Sequence, residues 1–254
     1  MRGIRVRRGF VPVLVLGIMG VLWIAGAAPN RDRGLVFSED FSADPGWSTD
    51  EGMYVFHDGS NGSYFALSHD VSSGYGNYFG LSPVFEFVEG DFALEFDIAV
   101  LEPHWGQYPG LYLLNTMEPD PTGPGGYLYV MKACYSWSDA VPRLFRMHTP
   151  GWNLYSEASP EIGRWYRFEV SYSSSAGIMD WRVIDLQTGA VFHEVEGAEF
   201  SLASGFNCVA VGERTAPPAY GDYSAVKIDN ISIWDDGVTV AQPTTWGAIK
   251  SGYR

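Results

Sequence analysis

The clearest strand pattern of the chain lies at residues 92–101, which read FALEFDIAVL. Every second residue from Phe92 to Val100 is large and apolar, and the residues between them are alanine, glutamate or aspartate. Side chains of an extended chain alternate between two faces, so this segment predicts a strand with one face in a core.

Three further segments downstream of this strand predict a meander. Trp165–Ser173 alternates in the same way, and a turn at 173–177 leads into Ile178–Asp185. A second turn ends at Gly189, where a left-handed backbone costs little, and leads into Ala190–Glu196. We therefore expect three consecutive antiparallel strands.

Other short runs rich in Val, Ile, Phe, Tyr and Trp are bounded by Gly, Pro, Asn, Asp and Ser, as strands are. No segment carries the long 3.6-residue stripe of a capped helix, apart from a weak pattern at the C-terminus. Residues 35–236 thus predict one all-β, antiparallel, two-sheet sandwich of about thirteen strands. The other predicted strands are Leu35–Phe41, Met53–His57, Ser63–Ser68, Asn77–Pro83, Leu111–Asn115, Tyr127–Cys134, Arg143–His148, Asn207–Glu213 and Tyr223–Trp234.

The N-terminus has the pattern of an export signal. Four arginines within residues 2–8 precede an apolar run, Phe10–Ile24, which leads into small residues ending at Ala27. The run is shorter than the about 20 residues that a membrane-spanning helix needs. Residues 1–27 are therefore predicted to be a cleaved signal peptide of a secreted or cell-surface protein, and an uncleaved N-terminal anchor is the alternative.

The charge balance limits the partners. The formal net charge is −14, and removal of the leader with its four arginines takes it to about −18. Nucleic acids and anionic lipid surfaces bind clustered Lys and Arg, so this balance predicts neither nucleic-acid binding nor membrane insertion after signal removal. It favours neutral ligands or cations.

Two cysteines, Cys134 and Cys208, lie in the exported part of the chain. An oxidising compartment favours their pairing as a disulfide, and the alternative is two buried thiols packed as small apolar residues. No Cys-x-x-Cys or His-x-x-x-His spacing occurs, so zinc is not expected.

Three motifs resemble the concanavalin A-like lectin and glucanase jelly roll, in the broad laminin G-like sense, over residues 35–234. They are Phe37–Phe41 followed by Gly46-Trp47, Gly163–Val170 with its G-x-W-Y-x-F run, and Lys227–Ile233. The resemblance implies that the first and last strands pair and that the middle run is a core strand. It also implies that the concave sheet or its rim loops hold a carbohydrate.

The resemblance further places Asp40 beside Asp229, where related modules hold a structural Ca²⁺, and hard cations prefer clustered oxygen ligands. The apolar alternation also slips between Ile228 and Ile231, which predicts a bulge. Asp40 and Asp229 are therefore predicted metal ligands. The alternative is an irregular edge strand with solvated acids.

Several aromatic residues fall in predicted loops, where their rings can stack on the apolar faces of sugars beside amide and carboxylate groups. The alternative is that such rings close the ends of the core. The predicted carbohydrate-binding residues are Trp105, Tyr108, Trp137, Trp152, Asn115 and Asp139, with Asn153 as a further hydrogen-bonding residue.

Catalysis would rest on Glu95 and Asp97, because family-16-like glucanases of this fold carry Glu-x-Asp-x-Glu along one strand. The third carboxylate is missing here, since Ala99 and Val100 follow. Retaining glycosidases need two suitably spaced carboxyl groups. The sequence therefore predicts a lectin-like or adhesive protein that binds an extracellular glycan without catalysis. The alternatives are a hydrolase of β-glucans and a surface structural protein without a glycan ligand.

The last segment, residues 237–254, is predicted to be a linker and tail. Its ending, Trp246–Arg254, is similar to a Trp-Gly-x-Ile-Lys-x-x-Tyr/Phe-Arg tail of exported bacterial proteins. This similarity implies a bacterial source and contact with export or surface-retention machinery. The alternative is a frayed terminus.

Overall fold

A computed structural model describes residues 34–49, 54–57, 65–68, 77–102, 108–138, 141–214 and 225–235. They contain fifteen strands and one turn of 3-10 helix, Pro124–Gly126, so the all-β prediction is confirmed. In these ranges no helix has the length and apolarity to cross a membrane. The strands are β1 (Gly34–Glu39), β2 (Ser48–Thr49), β3 (Tyr54–His57), β4 (Phe65–Ser68), β5 (Asn77–Leu81), β6 (Phe92–Glu102), β7 (Gly110–Pro119), β8 (Tyr127–Ser138), β9 (Val141–Thr149), β10 (Trp152–Tyr155), β11 (Trp165–Ser173), β12 (Ile178–Asp185), β13 (Val191–Glu199), β14 (Cys208–Arg214) and β15 (Ala225–Asp235).

The strands form two antiparallel sheets. The eight-stranded sheet has the order β13-β12-β11-β6-β15-β4-β3, and β1 also pairs with β15. The seven-stranded sheet has the order β10-β9-β8-β7-β14-β5-β2. Strands distant in sequence are neighbours in both sheets, for example β6 beside β15 and β7 beside β14. The pairing of first and last strands, β1 with β15, and the β11-β12-β13 meander are confirmed.

The predicted strands all appear, and the structure adds β2 and β10. Strand β2 has only two residues, which is too few for an alternation pattern. Strand β10 follows a turn at Gly151 and lies in a stretch predicted to be a long connection. The predicted signal peptide, residues 1–27, and the tail, residues 237–254, lie outside the described residues.

The core lies between the two sheets and is built from the alternating residues of the predicted strands. The five apolar residues from Phe92 to Val100 are at most 1% exposed. Phe145 of the seven-stranded sheet packs edge-on against Phe168 of the other sheet, with ring centroids 4.9 Å apart. Burial of each large apolar side chain stabilises the fold by about 1.5–3 kcal/mol.

Strand β15 contains the predicted bulge. Asp229 pairs with Asp97 of β6, but the next pair is Ser232 with Glu95, so β15 has one extra residue there. Asn230, in the bulge, has a positive φ of 51°. The bulge lets Ile228 and Ile231 both reach the core, where they are 0% and 1% exposed.

Candidate functional site

The side chains of interest lie on the outer face of the seven-stranded sheet, the face turned away from the core. Register places Tyr112, Lys132 and His148 in one row across β7, β8 and β9. The neighbouring row contains Cys134 and Arg146. We call the following group the cationic face: Tyr108, Tyr112, Tyr129, Lys132, Arg146, His148, Asn153 and Tyr155.

Lys132 lies among three tyrosine rings. Its Nζ is 4.8 Å from the ring centroid of Tyr108, 5.6 Å from that of Tyr129 and 5.8 Å from that of Tyr112. The Tyr112 hydroxyl donates a hydrogen bond of 2.8 Å to the Tyr108 carbonyl, which fixes the turn into β7. Cation–π attraction of this kind offsets part of the cost of placing an ammonium group in a site that is only 7% exposed.

Arg146 is held by the edge strand β10. Its Nε–H donates a 2.8 Å hydrogen bond to Asn153 Oδ1, and Nη2 contacts the same oxygen. The guanidinium carbon is 5.5 Å from the ring centroids of both Tyr108 and Tyr155. Asn153 is the one hydrogen-bond partner of the guanidinium in the described part of the chain, and no carboxylate there pairs with it.

His148 is a neutral imidazole beside these two cations. Burial, and then the positive charges of Lys132 and Arg146, lower the pKa of His148 to about 3. Its ring lies 5.7 Å from that of Tyr129, tilted by 32°. Within the described ranges its buried Nδ1 has no hydrogen-bond partner.

The predicted Cys134–Cys208 disulfide is not formed in the structure, where both cysteines are free and buried. They flank β7 on opposite edges, because Cys134 pairs with Gly110 and Cys208 pairs with Leu114. Four residues along a strand correspond to about 13 Å. A disulfide requires Cα atoms within about 7 Å. Burial raises the pKa of both thiols, so each is a neutral, small apolar residue.

The predicted sugar-binding residues separate into distinct locations. Tyr108 and Asn153 belong to the cationic face. Trp152 is 36% exposed but alternates with Asn153 and packs against Phe200, with ring centroids 6.4 Å apart. The side chain of Trp137 and all of Trp105 and Asp139 lie outside the described residues.

Asn115 does not fit its predicted role as a sugar ligand. It is 1% exposed, and its Nδ2 donates hydrogen bonds to Glu118 Oε1 at 2.9 Å and to Ser204 Oγ at 2.7 Å. Its Oδ1 accepts a hydrogen bond from the Met117 backbone N–H. These bonds orient the end of β7, so its amide holds the fold together.

The two carboxylates considered for catalysis lie on the outer face of the other sheet, where Arg167 binds both. Arg167 Nε and Nη2 donate hydrogen bonds of 2.6 and 2.8 Å to the two oxygens of Asp97, and Nη1 lies 2.9 Å from Glu95 Oε1. Asn230 Nδ2 donates a further bond of 2.9 Å to Asp97. This network gives Glu95 and Asp97 a structural role in joining β6, β11 and β15.

Asp40 and Asp229, the predicted calcium ligands, interact electrostatically. Burial raises the pKa of Asp229 to about 6, and the negative charges of Asp97 and Asp40 act in the same direction. Hydrogen bonds from Ser42 lower the pKa of Asp40. Among the residues that the structure describes, no group of three or more His, Cys, Asp or Glu side chains has metal-binding geometry.

The cationic face is the feature that sequence reasoning missed. The acidic net charge favoured neutral or cationic ligands, yet the outer surface of this sheet brings together Lys132, Arg146 and four tyrosines. The sequence pattern that could have indicated this face is a pair of basic residues two positions apart on a predicted strand, such as Arg146 and His148, because such residues share one face.

No protein-family model and no curated protein matches the sequence. Solved structures match its fold. An endo-β-1,4-glucuronan lyase from the fungus Trichoderma reesei is similar with a TM-score of 0.55 and 12% identity, over 82% of this chain and 98% of that one. The cellulose-induced protein Cip1 is similar with a TM-score of 0.53 and 16% identity, over 78% and 96%.

A third structure, from a report that cell entry of botulinum neurotoxin type C depends on two ganglioside molecules, has a TM-score of 0.52 and 12% identity. The match covers 85% of this chain and 50% of that one. These neighbours are jelly-roll sandwiches, so the predicted concanavalin A-like jelly-roll fold is confirmed.

Proposed function

We propose that this chain is an exported, lectin-like member of the concanavalin A-like superfamily that binds a carbohydrate on the cationic face. The arrangement that carries the proposal is the pair of partly exposed rings, Tyr108 and Tyr155, on either side of the Arg146 guanidinium. Tyrosine rings offer apolar faces to the C–H surface of a sugar, and nearby N–H donors bind its oxygens.

Two of the structural neighbours support a carbohydrate ligand. One is named for its action on glucuronan, and another comes from a report on binding of two ganglioside molecules. Two proteins that share the fold over the matched part are therefore named for acting on, or interacting with, a glycan or ganglioside. The residues proposed for this chain come from its own structure.

The experiment is a broad glycan array probed with the full chain, followed by titration calorimetry on the best ligand. We expect Tyr108→Ala and Tyr155→Ala each to weaken binding by at least about tenfold, because each loses a stacking surface. Trp152→Ala is the matched control, since it removes an exposed ring that packs against Phe200 instead. Equal losses in all three variants would place the ligand elsewhere.

Two alternatives have their own tests. A β-glucan hydrolase would release reducing sugars, and this release would vanish in Glu95→Gln. We expect no such activity, because Arg167 binds both carboxylates. A surface structural protein would give no ligand on the array and unchanged behaviour in both tyrosine variants.

The exported location and the role of the tail belong to the same proposal. Support comes from the arginine-led apolar segment before Ala27 and from the Trp246–Arg254 ending. N-terminal sequencing of the exported protein should begin after Ala27. Cell fractionation with and without residues 245–254 should show a change in surface retention, and identical distributions would reject a sorting role.

A further inference from the structure

We infer that the glycan bound on the cationic face is acidic, and that one of its carboxylate or sulfate groups pairs with the guanidinium of Arg146. This inference rests on the proposed function and names the class of ligand for the same site. It comes from the geometry of Arg146 and from the charge of its surroundings.

The first step is the set of donors that Arg146 still offers. Asn153 Oδ1 accepts from Nε and contacts Nη2, so it occupies one side of the guanidinium. The remaining N–H groups of Nη1 and Nη2 form the end-on pair that matches two oxygens of a carboxylate or sulfate. The structure describes no other acceptor for them. Asn153 thus orients Arg146 and leaves the Nη1 and Nη2 edge of the guanidinium for an anion.

The second step is the charge around this edge. The rows of Lys132 and Arg146 run across β14, β7, β8, β9 and β10, and their described members include no carboxylate. Two cations therefore lie together in a chain whose formal charge is −14. A carboxylate or sulfate bound here gains Coulomb attraction from the positive charge, whereas the hydroxyl groups of a neutral sugar gain only hydrogen bonds.

The third step is the pair of rings that flank the guanidinium. Tyr108 and Tyr155 each lie 5.5 Å from its carbon. They hold the guanidinium by cation–π contact, which helps to fix the position of its bidentate edge. The same rings are the stacking surfaces of the proposed function. A charged sugar ring can therefore contact an aromatic face and the guanidinium together, which a free inorganic anion cannot do.

The experiment compares matched polysaccharides that differ only in the anionic group. The full chain is titrated with oligomers of β-1,4-glucuronan against cello-oligosaccharides, of galacturonan against galactan, and of a sulfated galactan against galactan. We expect binding to at least one acidic member with an affinity at least about tenfold above its neutral counterpart. The affinity should fall as salt is raised from 50 to 500 mM. The carboxylate and sulfate arms identify which anion is preferred.

The variants test Arg146 itself. We expect Arg146→Gln to lose at least about tenfold in affinity for the acidic oligomer. Arg146→Lys should recover only part of it, because a point charge replaces the planar fork. Arg143→Gln is the control, since it removes the same charge from an exposed position of β9 outside the two rows. Circular dichroism melting of each variant separates a loss of binding from a loss of folding.

The possible outcomes separate a failure of the acidic-ligand inference from a failure of the proposed carbohydrate-binding function. Tighter binding of neutral oligomers, or equal losses in Arg146→Gln and Arg143→Gln, would overturn the acidic ligand and leave carbohydrate binding intact. Absence of binding to every glycan on the array would overturn both. A Tyr108→Ala loss without an Arg146→Gln loss would likewise retain the function and reject the anion pairing.

Discussion

Lys132 and Arg146 approach the same tyrosine ring from adjacent strands, with the ammonium nitrogen at 4.8 Å and the guanidinium carbon at 5.5 Å from the Tyr108 centroid. Two like charges beside one ring repel each other, and the electron-rich ring face offsets part of that cost. The remaining positive potential acts on His148 and on Cys134, and would act on any bound anion.

The first prediction concerns the protonation of His148. With a pKa of about 3, the native imidazole stays neutral while the unfolded chain takes up a proton near pH 6.5. The unfolded state then binds more protons, so the free energy of unfolding should fall as pH decreases from about 6.5 to about 3. In NMR titration, the His148 ring should show no transition between pH 5 and 8.

Removal of one neighbouring charge tests the cause of that shift. Arg146→Gln should raise the His148 pKa, and Arg143→Gln should change it less. Saturation with an acidic oligosaccharide should raise the pKa as well, because the ligand neutralises the cations. A His148 transition near pH 6.5 in the unliganded protein would contradict this electrostatic description.

The second prediction concerns Arg167, which binds two carboxylates. Arg167→Met leaves Asp97, which is 3% exposed, without its ion-pair partner, and should lower the free energy of unfolding by roughly 3 kcal/mol in urea denaturation. Arg182→Met is the control, because Arg182 is more exposed than Arg167 and its nearest oxygens, on Glu169 and Glu194, lie at the longer distances of 3.6 and 3.5 Å. We expect a smaller loss there, because these longer contacts hold the buried Glu169 less closely than Arg167 holds Asp97. Equal losses would show that the network does not depend on Arg167.

The third prediction concerns Asp229, whose pKa is raised to about 6. Between pH 4 and pH 6 the native state holds a proton that the unfolded chain has released. The contribution of Asp229 to stability should therefore be lost as pH rises through 6. Asp229→Asn retains the Oδ1 acceptor for the Asn230 N–H, so it should be more stable than the wild type at pH 7.5 in metal-free buffer. The difference should shrink at pH 4.5.

The fourth prediction is that calcium reverses this pattern. A Ca²⁺ ion between Asp40 and Asp229 would favour their ionised forms, so calcium should raise the melting temperature at pH 7.5 and should lower the Asp229 pKa. Asp229→Asn should abolish the rise, and magnesium should give less. An unchanged melting temperature at millimolar calcium would dispose of the metal site.

The fifth prediction is that both cysteines are reduced and shielded. A thiol reagent should label two groups per chain in denaturant without reductant, and label them only slowly in the native protein. Dithiothreitol should leave the melting temperature unchanged. Labelling of fewer than two thiols in non-reducing denaturant would indicate a disulfide and a different path for β7, β8 and β14.

The strands were predictable because large apolar side chains alternate along them with small, polar or charged ones. The alternation in β6 and β11 fixes which side chains are buried, and Phe96 and Phe168 meet in the core with ring centroids 4.8 Å apart. Strand β10 escaped prediction because Trp152–Tyr155 is short and, among the described strands, pairs only with β9. Its pairing depends on the β9 register rather than on its own composition.

The cationic face was not predictable from net charge or from loop aromatics. Lys132 and Arg146 are fourteen residues apart in sequence and become neighbours through the β8-β9 register. Tyr112 and Tyr129 lie on predicted strands, whereas the sugar-binding prediction considered aromatic residues in loops. Part of the negative charge lies on the outer face of the other sheet, in the carboxylates bound to Arg167.

The bulge after Asp229 reverses the alternation of side chains along β15. Even-numbered residues face the core before it, and odd-numbered residues face the core after it. One extra residue turns the sequence by half a period, so Ile228 and Ile231 can both lie inside although three positions separate them. Deletion of one residue within 229–231 would remove the bulge. Either Ile228, or Ile231 together with Ile233, would then point away from the core. The number of residues in this part of β15 is therefore as tightly constrained as their identity. The reason is that β15 pairs with β6 on one edge and with β4 and β1 on the other.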